Sequence, residues 1–231
     1  MASTIREFRH DTAAQTAVAL AASVAARLQQ AITARDTALL AVSGGRSPAA
    51  VFDALRGHAI EWDKLVVAQV DERWVSPDHA DSNSRLIREH LLTGPAAAAR
   101  FVPMKNEAPD AYAGQAECEA ALAALPRPFD VILLGMGEDG HTASLFPGAS
   151  ELSVGLSSED LCLAVTPPAA PHQRMSLTLN GLLDSRLLVL QIGGAAKEAV
   201  YRSALAPGPI EDMPIRAVLR QNKVPLDVWL S

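Results

Sequence analysis

The chain has 231 residues, 49% hydrophobic and 20% charged, which is ample for a packed core and excludes a disordered chain. Its 20 Lys and Arg stand against 26 Asp and Glu, a net charge of -6, so no broad basic face for nucleic acid follows and an anionic ligand needs a locally cationic site. Cys118 and Cys162 are too few for a disulfide framework and lack metal-ligand spacing, so two buried or half-buried thiols are expected.

Residues 11–34 read as an amphipathic helix with Val18, Ala22, Ala25, Leu28 and Ile32 on one face. The uncharged run from Thr12 to Ala26 spans 15 residues, short of the roughly 18 or more apolar residues that cross a membrane. It also lacks the basic start, dense apolar centre and cleavage site of a signal peptide, so a soluble cytoplasmic protein with no membrane partner is expected. Short apolar runs follow at 37–42, 65–70, 129–134, 161–165, 187–192 and 226–230. They are continuous rather than alternating, which suits strands buried on both faces of a parallel sheet. Helical stretches around 48–56, 82–92, 110–124 and 195–205 separate them, and the Pro-containing stretches 126–128, 167–171 and 207–214 read as loops. The alternation predicts an α/β fold, one domain over 1–231 with a mostly parallel sheet flanked by helices.

In such a sheet, ligands bind outside the carboxyl ends of the strands, and polar or Gly-rich segments follow these strands at once. Ser43-Gly44-Gly45-Arg46-Ser47-Pro48 leads from a strand into a helix starting near Pro48. Its glycines let amides approach an anion at a helix N-terminus, with Arg46 and the serine hydroxyls as further donors. Asp71-Glu72-Arg73-Trp74 follows strand 65–70 as a charged loop, with Asn83 and Arg85 at the start of the next helix. The segment Gly135 to Gly148 contains GxGxxG after a strand, but Glu138 and Asp139 would face a pyrophosphate with like charge and Pro147 interrupts a long helix. What it offers instead is His141 beside a carboxylate, suited to general-base work near neutral pH. Arg174, which follows the Thr166-Pro167-Pro168 loop, and Lys197, which follows strand 187–192 through Gly193-Gly194-Ala195-Ala196, join Arg46 and Arg73 as a cationic pocket for a small phosphorylated substrate. The remaining histidines show no HxxxH or HExxH spacing, so no zinc site is expected; His79 with Asp81 is at most a weak cation site.

The motifs SGGRSP at 43–48, VDERWV at 70–75, SNSR at 82–85, GMGEDGHTASLFPG at 135–148, RMSLTLNGL at 174–182 and GGAAK at 193–197 closely resemble those of the 6-phosphogluconolactonases, in the family's order. The resemblance implies a Rossmann-like fold shared with the sugar-phosphate deaminases and isomerases, and hydrolysis of 6-phospho-D-glucono-1,5-lactone in the pentose phosphate pathway. The glucosamine-6-phosphate deaminases compete for the same motifs. They carry Tyr where this chain has Arg73 and an acid-base Glu where it has Phe146, which favours the lactonase. A non-catalytic sugar-phosphate sensor is the alternative outside enzymes. On the lactonase reading His141 is the general base, Asp71 or Asp139 orients it, and Arg73 neutralises developing charge. Ser43, Gly44, Gly45, Arg46, Asn83, Arg174 and Lys197 bind the substrate, chiefly its phosphate. No metal or organic cofactor is implied, and the chain is expected as a monomer or small homo-oligomer with a small-molecule sugar phosphate as its partner.

Overall fold

The computed structural model describes residues 5–231, apart from the side chain of Arg46. Strands β1 (Ile5–Arg9), β2 (Ala38–Val42) and β3 (Leu65–Gln69) are followed by a short β4 (Asp71–Arg73) and by β5 (Arg100–Val102) and β6 (Val131–Leu134). The later strands are β7 (Cys162–Val165), β8 (Arg174–Leu177), β9 (Leu188–Ile192) and β10 (Leu226–Leu230). Every residue of β2, β3 and β6 is buried, which only a sheet covered on both faces allows. That sheet has seven strands in the order β1-β10-β9-β6-β2-β3-β5, and all its pairings are parallel. Alternation along each strand divides the core in two. Leu40 and Val42 face one cluster with α1 (Ala13–Arg35) and α2 (Arg46–Leu55). Leu39 and Ala41 face the other, with α4 (Ala111–Ala123), α7 (Ala195–Leu205) and α8 (Ile215–Arg220). Short helices α3 (Asn83–His90), α5 (Leu152–Ser157) and α6 (Leu179–Leu183) complete the set.

Three sequence expectations are corrected. The buried stripe of α1 runs through Leu20, Ala21, Val24, Leu28, Ala31 and Ile32, whereas Val18 is 61% exposed and Ala22 lies outside the core. Although α1 has 23 residues and an 18-residue stretch of mean hydropathy 1.2, it is a core helix packed on α2 and the sheet. The run 161–165 does not enter the parallel sheet. It forms β7 of a separate three-stranded sheet, β4-β8-β7, whose pairings are antiparallel. Its second edge is closed by α4 side chains: Glu119 accepts from the Leu161 and Cys162 amides and Gln115 from the Ala164 amide. Finally, the acidic segment after β3 is a strand rather than a loop, pairing Asp71 with Ser176 and Arg73 with Arg174. Cys118 and Cys162 are both buried free thiols.

The chain runs outward from β2 to β3 and β5, then returns to place β6 on the other side of β2. The loops after β2 and β6 therefore part at the reversal of strand order, where an open α/β sheet presents its crevice.

Candidate active site

The loop after β2 is shaped by its glycines. A Cβ on Gly44 would lie 1.8 Å from Asn83 Oδ1, so only glycine lets this loop and the start of α3 share the space. Gly45 has φ +117° and precedes α2, which opens at Arg46, two residues earlier than expected, with Pro48 inside its first turn. Ser43 Oγ is buried and meets no partner.

The two acids of β4 divide their work. Glu72 is 1% exposed and accepts from the amides of Arg73, Asn83 and Ser84, each at 2.7 Å, from Gln69 Nε2 at 2.7 Å and from Ser82 Oγ at 3.2 Å. Its carboxylate is thus spent in fixing β4 to the N-terminus of α3, where a negative charge is favoured. Asp71 accepts from Ser144 Oγ at 2.7 Å, and Asn83 Nδ2 donates to the Asp71 carbonyl at 2.8 Å. Ser144, fully buried inside the motif after β6, is a supporting residue to which the sequence reading gave no role.

No helix opens at Gly140; the segment stays irregular until α5, unlike a dinucleotide-binding turn. Gly140 takes φ +79°, and the Gly137 amide donates to the His141 carbonyl at 2.9 Å, closing a tight loop. Within it His141 Nδ1–H donates to Asp139 Oδ1 at 2.6 Å, and the same oxygen accepts from the His141 amide at 3.1 Å. These bonds hold the Asp139 carboxyl below the ordinary aspartate range, the imidazole contributing most. The arrangement leaves His141 Nε2 as the basic nitrogen. Phe146 packs on the imidazole with ring centroids 4.3 Å apart. A Cβ on Gly137 would lie 2.2 Å from His141 Nδ1 and Cε1 and 2.5 Å from Asp139 Oδ1. Gly137→Ala is therefore expected to displace the ring and lower kcat by about 10–10²-fold, with the melting temperature little changed because side-chain ends can yield. Steady-state rates and a thermal melt on the same preparation check this.

Register places the cations. Arg73 and Arg174 are directly opposed on β4 and β8, an arrangement of like charges that costs stability without an anion between them. Arg174 is 6% exposed, and burial together with the Arg73 charge pushes its guanidinium below the ordinary arginine range. Arg73 Nε and Arg174 Nε are both buried without a partner. Ser43, Arg73 and Arg174 all line one space. That space is a cavity of about 260 Å³ joining Ser43, Gly44, Asp71, Arg73, Asn83, His141, Arg174 and Lys197. Gly45 lines an adjoining cavity of about 460 Å³ that shares Gly44 and Lys197. Asp139 lines a third, of about 380 Å³, that shares His141. The Arg46 side chain lies outside the described residues. Arg85 does not join the group; it is exposed and pairs with Glu89 at 2.8 Å.

The model of the family of glucosamine-6-phosphate isomerases/6-phosphogluconolactonase matches residues 11–227. The chain is 46% identical over 217 residues to a 6-phosphogluconolactonase of Mesorhizobium japonicum, covering 93% of this chain and 90% of that protein. It is 45% identical over 215 residues to one of Pseudomonas putida, covering 92% and 87%. The crystal structure of a 6-phosphogluconolactonase from Shewanella baltica is 43% identical and superposes with a TM-score of 0.95 over 99% of this chain and 97% of that one.

Proposed function

The chain belongs to the glucosamine-6-phosphate isomerase/6-phosphogluconolactonase family and hydrolyses a sugar-phosphate lactone in the pentose phosphate pathway; we propose that the lactone is 6-phospho-D-glucono-1,5-lactone, opened to 6-phospho-D-gluconate by water that His141 activates. The observation that carries this reading is the His141–Asp139 pair set in the same cavity wall as Arg73 and Arg174, neither of which is paired with a carboxylate there. Hydrolysis needs a base for water, donors for the tetrahedral oxyanion, and a proton for the departing ring oxygen. His141 Nε2 takes a proton from water as its oxygen bonds to the lactone carbonyl carbon. When the oxyanion collapses, the bond to the ring oxygen breaks, and the imidazolium returns that proton to it. The new carboxylic acid then ionises to solvent. Arg73, on the cavity wall, stabilises the oxyanion and then the carboxylate. Asp71 serves the sugar rather than the imidazole: its oxygens are held by Ser144 and Asn83 and keep acceptor capacity for a hydroxyl. Arg174, Lys197 and the amides of Gly44 and Gly45 receive the phosphate, with Arg46 placed by sequence at the same helix start.

Asp139 then has a dated role in each turnover, stabilising the imidazolium while it exists. Its carboxylate is charged throughout the neutral range because its pKa is lowered. Asp139→Asn removes that charge and is expected to lower kcat by about 10-fold. The acid limb of the pH–rate profile is expected to move to lower pH, since protonation of the base loses its counter-ion. An unchanged profile would assign the orientation of His141 to the loop alone.

The deaminase reaction is disfavoured by Phe146, an apolar ring against His141 where that chemistry places an acid. The deciding experiment follows loss of freshly generated lactone with and without enzyme, beside ammonia release from glucosamine 6-phosphate. Acceleration above spontaneous hydrolysis with no ammonia supports the proposal. Ammonia release would replace it with the deaminase, and neither activity would favour a sugar-phosphate sensor.

A further inference from the structure

Beside the cavity, and outside the groups assigned to the reaction, His79, Asp81 and His172 bring three metal-ligating atoms within 4.8 Å of one another. We propose that this trio binds one divalent ion of the zinc class and so fastens together the two loops that support Arg73 and Arg174. His79 and Asp81 lie between β4 and α3, and His172 lies between β7 and β8, so the ion would bridge segments far apart in sequence. Two imidazoles and one carboxylate suit zinc, copper(II) or nickel and leave a position for water, whereas magnesium and calcium prefer oxygen alone.

The trio is nearly assembled. Asp81 Oδ2 is 3.1 Å from His172 Nε2 and 3.8 Å from His79 Nδ1. Ligand atoms on a tetrahedral zinc stand about 3.4 Å apart, between those two separations. The imidazoles meet edge to face at 75° with centroids 5.4 Å apart. His79 Nδ1 accepts the Asp81 amide at 3.1 Å, so its lone pair already turns toward the aspartate, and a bound ion would take that lone pair and leave the exposed amide to water. His172 holds this place with φ +70°, in the left-handed region. Arg73 Nη1 donates to the Asp81 carbonyl at 2.5 Å, and that neighbouring cation weakens the site relative to a structural zinc. The same contact links the trio to the cavity, as does Arg174 Nη2, which donates to the Pro171 carbonyl at 3.2 Å, next to His172.

The test uses tag-free, chelator-stripped protein titrated with Zn²⁺ against a chromophoric chelator, with thermal melts in parallel. Wild type is expected to bind one ion with micromolar affinity and to melt about 5–10 °C higher at a hundredfold excess over Kd. His79→Ala and His172→Ala are each expected to weaken binding tenfold or more and to lose the rise, each judged against its own metal-free melt. His90→Ala, an imidazole elsewhere on the surface, should behave as wild type, and Mg²⁺ should give no rise. Equal zinc binding by wild type and the His79→Ala/His172→Ala double variant would overturn the proposal, as would the absence of a zinc-dependent rise in wild type. Neither readout uses the reaction, so the result stands apart from the fate of the lactonase mechanism.

Discussion

His141→Asn is expected to lower kcat on the phosphorylated lactone by about 10²–10⁴-fold while the protein melts near wild type. Asparagine keeps a donor for Asp139 Oδ1 but has no nitrogen that takes up a proton, so the substitution removes the base and keeps much of the local hydrogen bonding. The cost to folding should be small because the imidazole is 29% exposed and its chief packing partner, Phe146, remains buried in the core behind it. KM should change little, since the proposed phosphate site is built from other groups. The lactone also opens spontaneously, so the assay needs freshly generated substrate and subtraction of the uncatalysed rate. A variant that kept most of its kcat would remove His141 from the base role and pass it to Asp71, the other titratable acceptor in the cavity wall.

The order of ease with which this site could be read follows the range of the interactions that build it. The buried parallel strands announce themselves because ALLAV and LVVAQ are apolar without interruption, a pattern tolerated only between two covered faces. β4 does not, because DER carries no apolar residue and becomes a strand only through its pairing with β8. The run 161–165 shows the converse limit: an apolar string reports burial but not whether a second sheet or the first supplies it. In α1, alanine on every side blurs the helical stripe, so its C-terminal part is legible at Ala25, Leu28 and Ile32 whereas Val18 and Ala22 fall off the buried face that Leu20 and Val24 occupy. β1, with the partly exposed pattern of IREFR, and the three-residue β5 carry too little apolar signal for an edge strand. Within the site, the loops were legible from glycine and charge, whereas the division between carboxylates was not. Asp139 reaches His141 across one tight turn, but Asp71 is committed to Ser144 from 73 residues away, and Glu72 is spent on donors from three elements.

Arg73 and Arg174 face each other across β4 and β8. Arg174→Ala is expected to reduce kcat/KM for the phosphorylated lactone by about 10²-fold or more, and for unphosphorylated gluconolactone by much less. Lys197→Ala, whose side chain is only half-buried, should show the same preference with a smaller loss, about 10-fold. Because Arg174 is 6% exposed, the free-protein melt separates loss of phosphate binding from disordering of β8. Removing one of two facing guanidiniums relieves repulsion, which offsets part of the lost packing and should keep the melting temperature of the unliganded variant close to wild type. Wild type, by contrast, should gain melting temperature on adding 6-phosphogluconate, because on the proposed reading its phosphate would sit against Arg174 and relieve the repulsion between the two facing guanidiniums. The Arg174→Ala protein should lose most of that gain. Equal losses on both lactones, with the ligand-induced rise intact, would mean that these cations hold the sheet and leave the phosphate to the glycine loops.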